Sequence, residues 1–211
     1  MNSITRFLNN PYVFWAILSI PAIPMLADLM TSDNSRIIHG LVHPTGEFAA
    51  RFLIITLMIT PLMILLPQWR GPRWLMRRRR YIGVAAFGYA AAHTVFYLID
   101  KGAIAMSSAE LGKTLIWTGW LAFLIFVPLA ITSTDSWVRR LGTSWKPLQR
   151  WVYAAAALTL LHWAVLHNWG GSVPALIHFG PLIALETYRI WWILNRPRRA
   201  QSARTARQIT A

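Results

Sequence analysis

Long apolar stretches alternate with short polar and basic connections along the chain. Six of them, at roughly 11–30, 46–66, 81–99, 113–131, 150–168 and 174–194, come close to the about 20 residues that a helix needs to cross a hydrocarbon layer. The pattern predicts an all-α polytopic membrane protein, a six-helix transmembrane bundle occupying 1–195 as one domain. Connections this short leave no room for a second folded domain, and no repeat of about 20–50 residues is visible. Pro21 and Pro24 interrupt the first stretch, and no small-residue cleavage site follows it. It therefore reads as a retained, kinked helix rather than a signal peptide. The basic segment 196–211 is polar and broken by Pro197, and is expected to be a disordered, lipid-associated cytoplasmic tail.

Composition agrees with the pattern, since 55% of the 211 residues are hydrophobic and 13% are charged. A net charge of +14 would suit nucleic acid if it formed one soluble basic face. The basic residues instead separate by side. Arg6, Arg70, Arg73, Arg77–Arg80, Arg139, Arg140, Lys146, Arg150, Arg189 and the tail arginines all fall on one side of the six segments. Arg36, Arg51, Lys101 and Lys113 fall toward the other. This is the positive-inside pattern, with both termini cytoplasmic in a bacterial-type inner membrane and no nucleic-acid partner. Asp28, Asp33, Glu47, Asp100 and Glu110 lie toward the outer side. With no cysteine, the chain has no disulfide, thiolate metal site or thiol redox chemistry. Any redox function falls to a bound cofactor.

Two histidines stand inside the apolar stretches. His93 lies 13 residues after Arg80, and His162 lies 12 residues after Arg150. At about 1.5 Å per residue, both sit roughly 18–20 Å from the inner boundary, in the outer half of the layer. An imidazole in hydrocarbon is costly and by default marks a functional site. Two at nearly one depth, on two helices, point to one shared ligand. Haem suits them, because porphyrin iron takes axial imidazoles. A centre with both axial positions filled suits electron transfer more than oxygen chemistry. Gly83, Ala85, Ala86, Gly88 and Ala90–Ala92, with Ala154–Ala157, are expected to give a porphyrin its lateral room. Packing supplies the other reading: small residues let membrane helices approach, and a lone histidine can bond a neighbouring helix. Zinc or copper is the weaker ligand, because no carboxylate or thiolate is placed to complete a buried site with the pair.

The other candidates lie near the membrane surfaces. His43 and His178 stand at outer helix starts, where they could grip haem propionates, hold a second haem or cap the helices. His39 is placed in a loop and His167 at the interface. Arg77, Arg78, Arg79 and Arg80 carry two readings. One is topology and lipid headgroups; the other is an anion site for a flavin phosphate or an acidic donor. Glu186 is spaced to pair with Arg189 or with a group on another helix. The 12 tryptophans mostly sit near helix ends, as aromatic belts do.

Four pieces in order carry a resemblance: HPTGEFAARFLIITLMITPL (43–62), RRRRYIGVAAFGYAAAHTVFYL (77–98), LAITST (129–134) and WKPLQRWVY (145–153), with His162 following. Together they resemble the ferric-reductase-like transmembrane domain, and within it the MsrQ (YedZ) type, over about 43–165. The resemblance implies haem b and bound FMN. It also implies electron flow from a cytoplasmic flavin reductase or NAD(P)H-linked donor to a periplasmic redox partner, in that type a methionine-sulfoxide reductase. His93 and His162 match the family's intramembrane haem ligands, and the run before the third helix matches its basic segment.

One position departs from the pattern. Gln149 stands where the MsrQ type has a histidine, 13 residues before His162, and Arg80 is at the matching level on the third helix. The expectation is one haem in the outer half, with a flavin or another carrier bridging the inner half. The chain would be an electron-transfer subunit rather than a stand-alone enzyme. The rival expectation is a non-redox transporter or assembly scaffold whose histidines pack or relay protons. Transporters often carry matching broken helices in two halves, and here only the first stretch is broken.

Overall fold

The computed structural model describes residues 7, 9–34, 36–166 and 168–209; of 103, 106, 108 and 196–209 the backbone alone is described. Among these residues only helices and turns occur. The first apolar stretch forms a bent pair, α1 (Pro11–Ser19) and α2 (Ala22–Thr31), meeting at 53°. Pro21 sits in the break. With no N–H it cannot continue the ladder, and its ring crowds the preceding turn. The Tyr89 hydroxyl donates to the Leu18 carbonyl at 3.1 Å, giving an acceptor of that last turn a partner.

The chain continues through α3 (Ile37–Leu65), the short α4 (Arg70–Met76) and α5 (Arg79–Lys101). A tight turn and α6 (Ser108–Leu111) lead to α7 (Thr114–Ile131). Then come α8 (Asp135–Leu141), α9 (Trp145–Gln149), α10 (Val152–Ala164) and α11 (Ser172–Ile209). Three helices, α3, α5 and α7, are long and apolar enough to cross a membrane, and α1 with α2 makes a fourth span if the bent pair is one. The third and fourth expected segments match α5 and α7 within about two residues.

Elsewhere the expected boundaries move. α3 begins at Ile37 rather than near 46, so His39 is helical rather than in a loop, and His43 lies two turns inside the helix rather than at its start. Pro44 and Pro61 lie inside it, as membrane helices tolerate when neighbours satisfy the freed backbone groups. The fifth segment shrinks to the 13 residues of α10, because the chain on each side turns: α9 precedes it, and Asn168 and Trp169 take positive φ of 54° and 72° after it. α11 runs past Asn195 to Ile209. The described backbone of 196–209 is helical, in keeping with its Ala, Arg and Gln content.

Packing creates two helix pairs. α3 lies along α5, α7 lies along α10, and the pairs adjoin chiefly through α5 and α7. α11 closes the group against α3 and α10. Leu53, Leu57, Phe126, Leu129, Phe179 and Leu182 fill the space between them. Phe14, Leu18, Ile59 and Ile82 belong to a second cluster that holds the first helix. Ala85, Ala86, Ala155 and Ala156 are buried in these contacts, where the small side chain permits close approach.

Tyr89 is buried, so Tyr89→Phe would strip the Leu18 carbonyl of this donor. Stability is expected to fall by about 1–3 kcal/mol, seen as a lower Tm of the detergent-solubilised protein.

Candidate functional site

The two intramembrane histidines meet. His93 on α5 and His162 on α10 have ring centroids 6.1 Å apart, with planes at 88°. His93 Nδ1 lies 2.8 Å from the Val42 carbonyl oxygen on α3. His162 Nδ1 lies 2.6 Å from the Leu115 carbonyl oxygen on α7. A carbonyl only accepts, so each Nδ1 carries the hydrogen and each Nε2 keeps an uncommitted lone pair. That is the tautomer a metal-ligating imidazole needs, with its other nitrogen anchored by a carbonyl. Two metal–nitrogen bonds of about 2 Å each, added to the distances from nitrogen to ring centre, come to about 6 Å. The observed spacing suits one metal atom between the rings.

A glycine makes room for each ring. A Cβ on Gly46 would stand 2.8 Å from His93 Nδ1, and one on Gly119 would stand 2.7 Å from His162 Cε1. Each glycine is four residues after the carbonyl that accepts from the same histidine. On a helix that spacing places carbonyl and glycine on one face. The two half-sites are thus built alike: one helix offers a carbonyl and a bare glycine, and its neighbour inserts a histidine between them. Charge and hydropathy do not mark Gly119. The recurrence of Thr-Gly at 45–46 and 118–119 does, since Gly46 precedes His93 by 47 positions and Gly119 precedes His162 by 43.

Around the rings lies a cavity of about 350 Å³, within the range of about 300–1,000 Å³ typical of ligand pockets. Its small-residue wall is Gly46, Ala49, Ala50, Ala90, Gly119 and Ala122. Of the residues expected to give this room, only Ala90 lines it. The space comes instead from α3 and α7, while Ala85, Ala86, Ala155 and Ala156 are buried in helix contacts and Ala157 is exposed. Ile116, Trp120, Phe123, Phe126, Trp163 and Leu166 are among its apolar lining, and His39, His43, Glu47 and Tyr97 are among the polar groups. Among the described residues, no three or more His, Asp or Glu gather as a metal site. Two imidazoles leave a bare ion under-coordinated, whereas a macrocycle with its own in-plane donors needs only axial ones. The donor set therefore fits haem better than zinc or copper.

The remaining candidates do not all converge. His43 lines the cavity. His178 stacks on Trp163 at 4.7 Å and brings Nε2 to 3.9 Å from Glu47 Oε1, while Glu47 pairs with Arg51 at 2.6 Å. His39 pairs with Asp100 at 3.1 Å. His167 lies outside the described residues. The arginine run splays. Arg78 is buried against Trp74 and Phe14 and donates to Asn9 Oδ1 at 2.6 Å. Burial, and then the neighbouring Arg77 charge, lower its pKa. Arg80 reaches Asp135 at 2.6 Å, and Arg79 lies by Met76 Sδ at 3.9 Å. Gln149 donates from Nε2 to the Leu129 carbonyl and to Thr132 Oγ1, both at 3.1 Å. Glu186 pairs with Arg189 at 2.7 Å as its spacing suggests.

Residues 45–160 match the family described as ferric reductase like transmembrane component. Among curated relatives, the chain is similar to the protein-methionine-sulfoxide reductase heme-binding subunit MsrQ of Xanthomonas euvesicatoria pv. vesicatoria (strain 85-10). It is 39% identical over 159 residues, covering 74% of this chain and 71% of the relative. The subunit of the same description from Xanthomonas campestris pv. campestris (strain 8004) is 40% identical over 159 residues, 74% of this chain and 71% of the relative. That of Herminiimonas arsenicoxydans is 38% identical over 160 residues, 74% and 72% respectively.

The glycines give a direct check. Gly46→Ala and Gly119→Ala must push an imidazole off its carbonyl, and each is expected to cost about 1–3 kcal/mol. At Gly88 a Cβ meets nothing within 4 Å, so Gly88→Ala is expected to be neutral or stabilising by up to about 1 kcal/mol. Thermal melts of the three variants in one detergent compare them.

Proposed function

Because the chain belongs to the ferric reductase like transmembrane component family, we propose that it is a haem b-binding membrane subunit that passes electrons across the bacterial inner membrane. Its donor on this reading is a cytoplasmic flavin, flavin reductase or other NAD(P)H-linked protein. Its acceptor is a periplasmic redox partner, by analogy with the relatives' names a methionine-sulfoxide reductase. The chain forms a six-helix bundle with cytoplasmic termini, which the side-segregated arginines support.

One observation carries the reading: two part-buried imidazoles facing one cavity, each anchored through Nδ1–H and each keeping Nε2 free, at a spacing that suits one iron. Bound haem would supply a one-electron couple whose potential depends on its axial ligands and surroundings. His93 and His162 would hold it through their Nε2 atoms, and the Val42 and Leu115 carbonyls fix the tautomer that permits this. The Gly46, Ala49, Ala50, Gly119 and Ala122 wall would admit the ring. His43 on the cavity wall, with Glu47 and His178 beside it, is placed for the polar edge of such a ligand. One haem is favoured over two, since Gln149 and Arg80 are engaged with Leu129, Thr132, Ser133 and Asp135. A flavin or another carrier would then serve the inner half.

The purified membrane protein is expected to show a Soret band and a b-type reduced-minus-oxidised spectrum. His93→Ala and His162→Ala are each expected to lower haem occupancy by roughly tenfold or more; full occupancy in both variants would overturn the assignment. For the flavin, Arg77, Arg79 and Arg80 are changed to glutamine together, leaving the buried Arg78 intact. FMN retention is expected to drop, and unchanged retention rejects direct binding there.

A further inference from the structure

Thr45 and Thr118 repeat one another as closely as the glycines that follow them. Both are buried, at 2% and 0% exposure. The Thr45 hydroxyl reaches two carbonyl oxygens of its own helix, Leu41 at 2.7 Å and Val42 at 2.9 Å. Thr118 does the same with Thr114 at 2.6 Å and Leu115 at 3.0 Å. The second oxygen in each case, three residues back, is the one that accepts from a histidine. A third instance stands on the inner side of α7. Thr132 reaches Pro128 and Leu129, and the Leu129 carbonyl accepts from Gln149.

Other threonines on these helices behave differently. Thr56, Thr94 and Thr159 bond only to the carbonyl four residues back. Among the described residues, no side chain of a neighbouring helix donates to the carbonyl three residues before any of them. A threonine that bonds back to its own helix bends it locally. Where the hydroxyl also engages the carbonyl three residues back, a side chain from a neighbouring helix donates to that same oxygen.

We propose that Thr45 and Thr118 are positioning residues for the histidines: each turns one carbonyl toward an imidazole Nδ1–H, and so sets ring orientation and ligand strength. The inference rests on the haem reading, through the role it gives His93 and His162. A hydroxyl on a carbonyl that also accepts from imidazole takes a share of its acceptor capacity. That share tunes how basic the ligating nitrogen is.

The experiment compares Thr45→Val and Thr118→Val with Thr45→Ser and Thr118→Ser, using Thr56→Val as a buried control. Haem titration and redox potentiometry are run on the full chain. Nitrogen-15 NMR of labelled histidine in haem-free protein reports the tautomers. The valine variants are expected to lose about 10–100-fold in haem affinity, to shift in midpoint potential, and to lose the single Nδ1–H tautomer. The serine variants should keep all three properties. Valine variants that match Thr56→Val, with affinity, potential and tautomer unchanged, would overturn the proposal. So would serine variants that fail like valine, since packing of the methyl would then explain the loss. A wild-type protein that takes up no haem would refute the haem reading instead, and the tautomer comparison would still decide the role of the threonines.

Discussion

The site depends on what an imidazole must do where water does not reach. Its N–H needs an acceptor, and an unpaired buried donor costs about 1–3 kcal/mol. The acceptor here is a backbone carbonyl of a neighbouring helix. A ring reaches a helical carbonyl only if the side chain one turn further on is absent, and that requirement places Gly46 and Gly119. Close approach of the ring then demands close approach of the helices. Buried alanines on α5 and α10 permit it. One unsatisfied hydrogen in hydrocarbon thus accounts for a carbonyl, a glycine and a helix pairing, twice over.

Charge is handled by the same rule of local satisfaction. Glu47 faces Arg51, Glu186 faces Arg189, and Arg80 faces Asp135. Lys113 lies against Glu110, and this hydrogen bond more than any other effect holds the Glu110 carboxyl below its ordinary pKa. Among the described residues Arg78 has no carboxylate partner, and it lies over the faces of Trp74 and Phe14, where an aromatic quadrupole attracts a cation. The guanidinium therefore ties α4 and α5 to the first helix. A residue that composition groups with a surface cluster is an internal fastening.

Much of this was legible from residues alone. The hydropathy pattern located α5 and α7, because no charged residue interrupts them until their ends. The shared depth of His93 and His162 foretold their meeting, since a similar rise along two spans that leave the same side brings them to one level. The wall of the cavity was not legible. A small residue beside a histidine and one across from it look alike in sequence, and only helix rotation tells them apart. Pro44 obscured the start of α3 in the same way. Its missing N–H suggests a boundary, while tertiary contacts carry the helix through. Gln149 read as a lost ligand, and its bonds to Leu129 and Thr132 give it a positive role in joining α9 to α7.

The likeness of the two half-sites stops at their outer rims. The residues on either side of Thr45-Gly46 are His43, three before the glycine, and Glu47, one after it. The corresponding residues around Thr118-Gly119 are Ile116 and Trp120, and all four line the cavity. The donors are held alike, but the walls differ, one able to meet charge and the other apolar. A ligand whose own symmetry is broken the same way, with acids on one edge and hydrocarbon on the other, finds a single seating. The chamber therefore distinguishes the two edges of its occupant, although it grips the middle with two like groups.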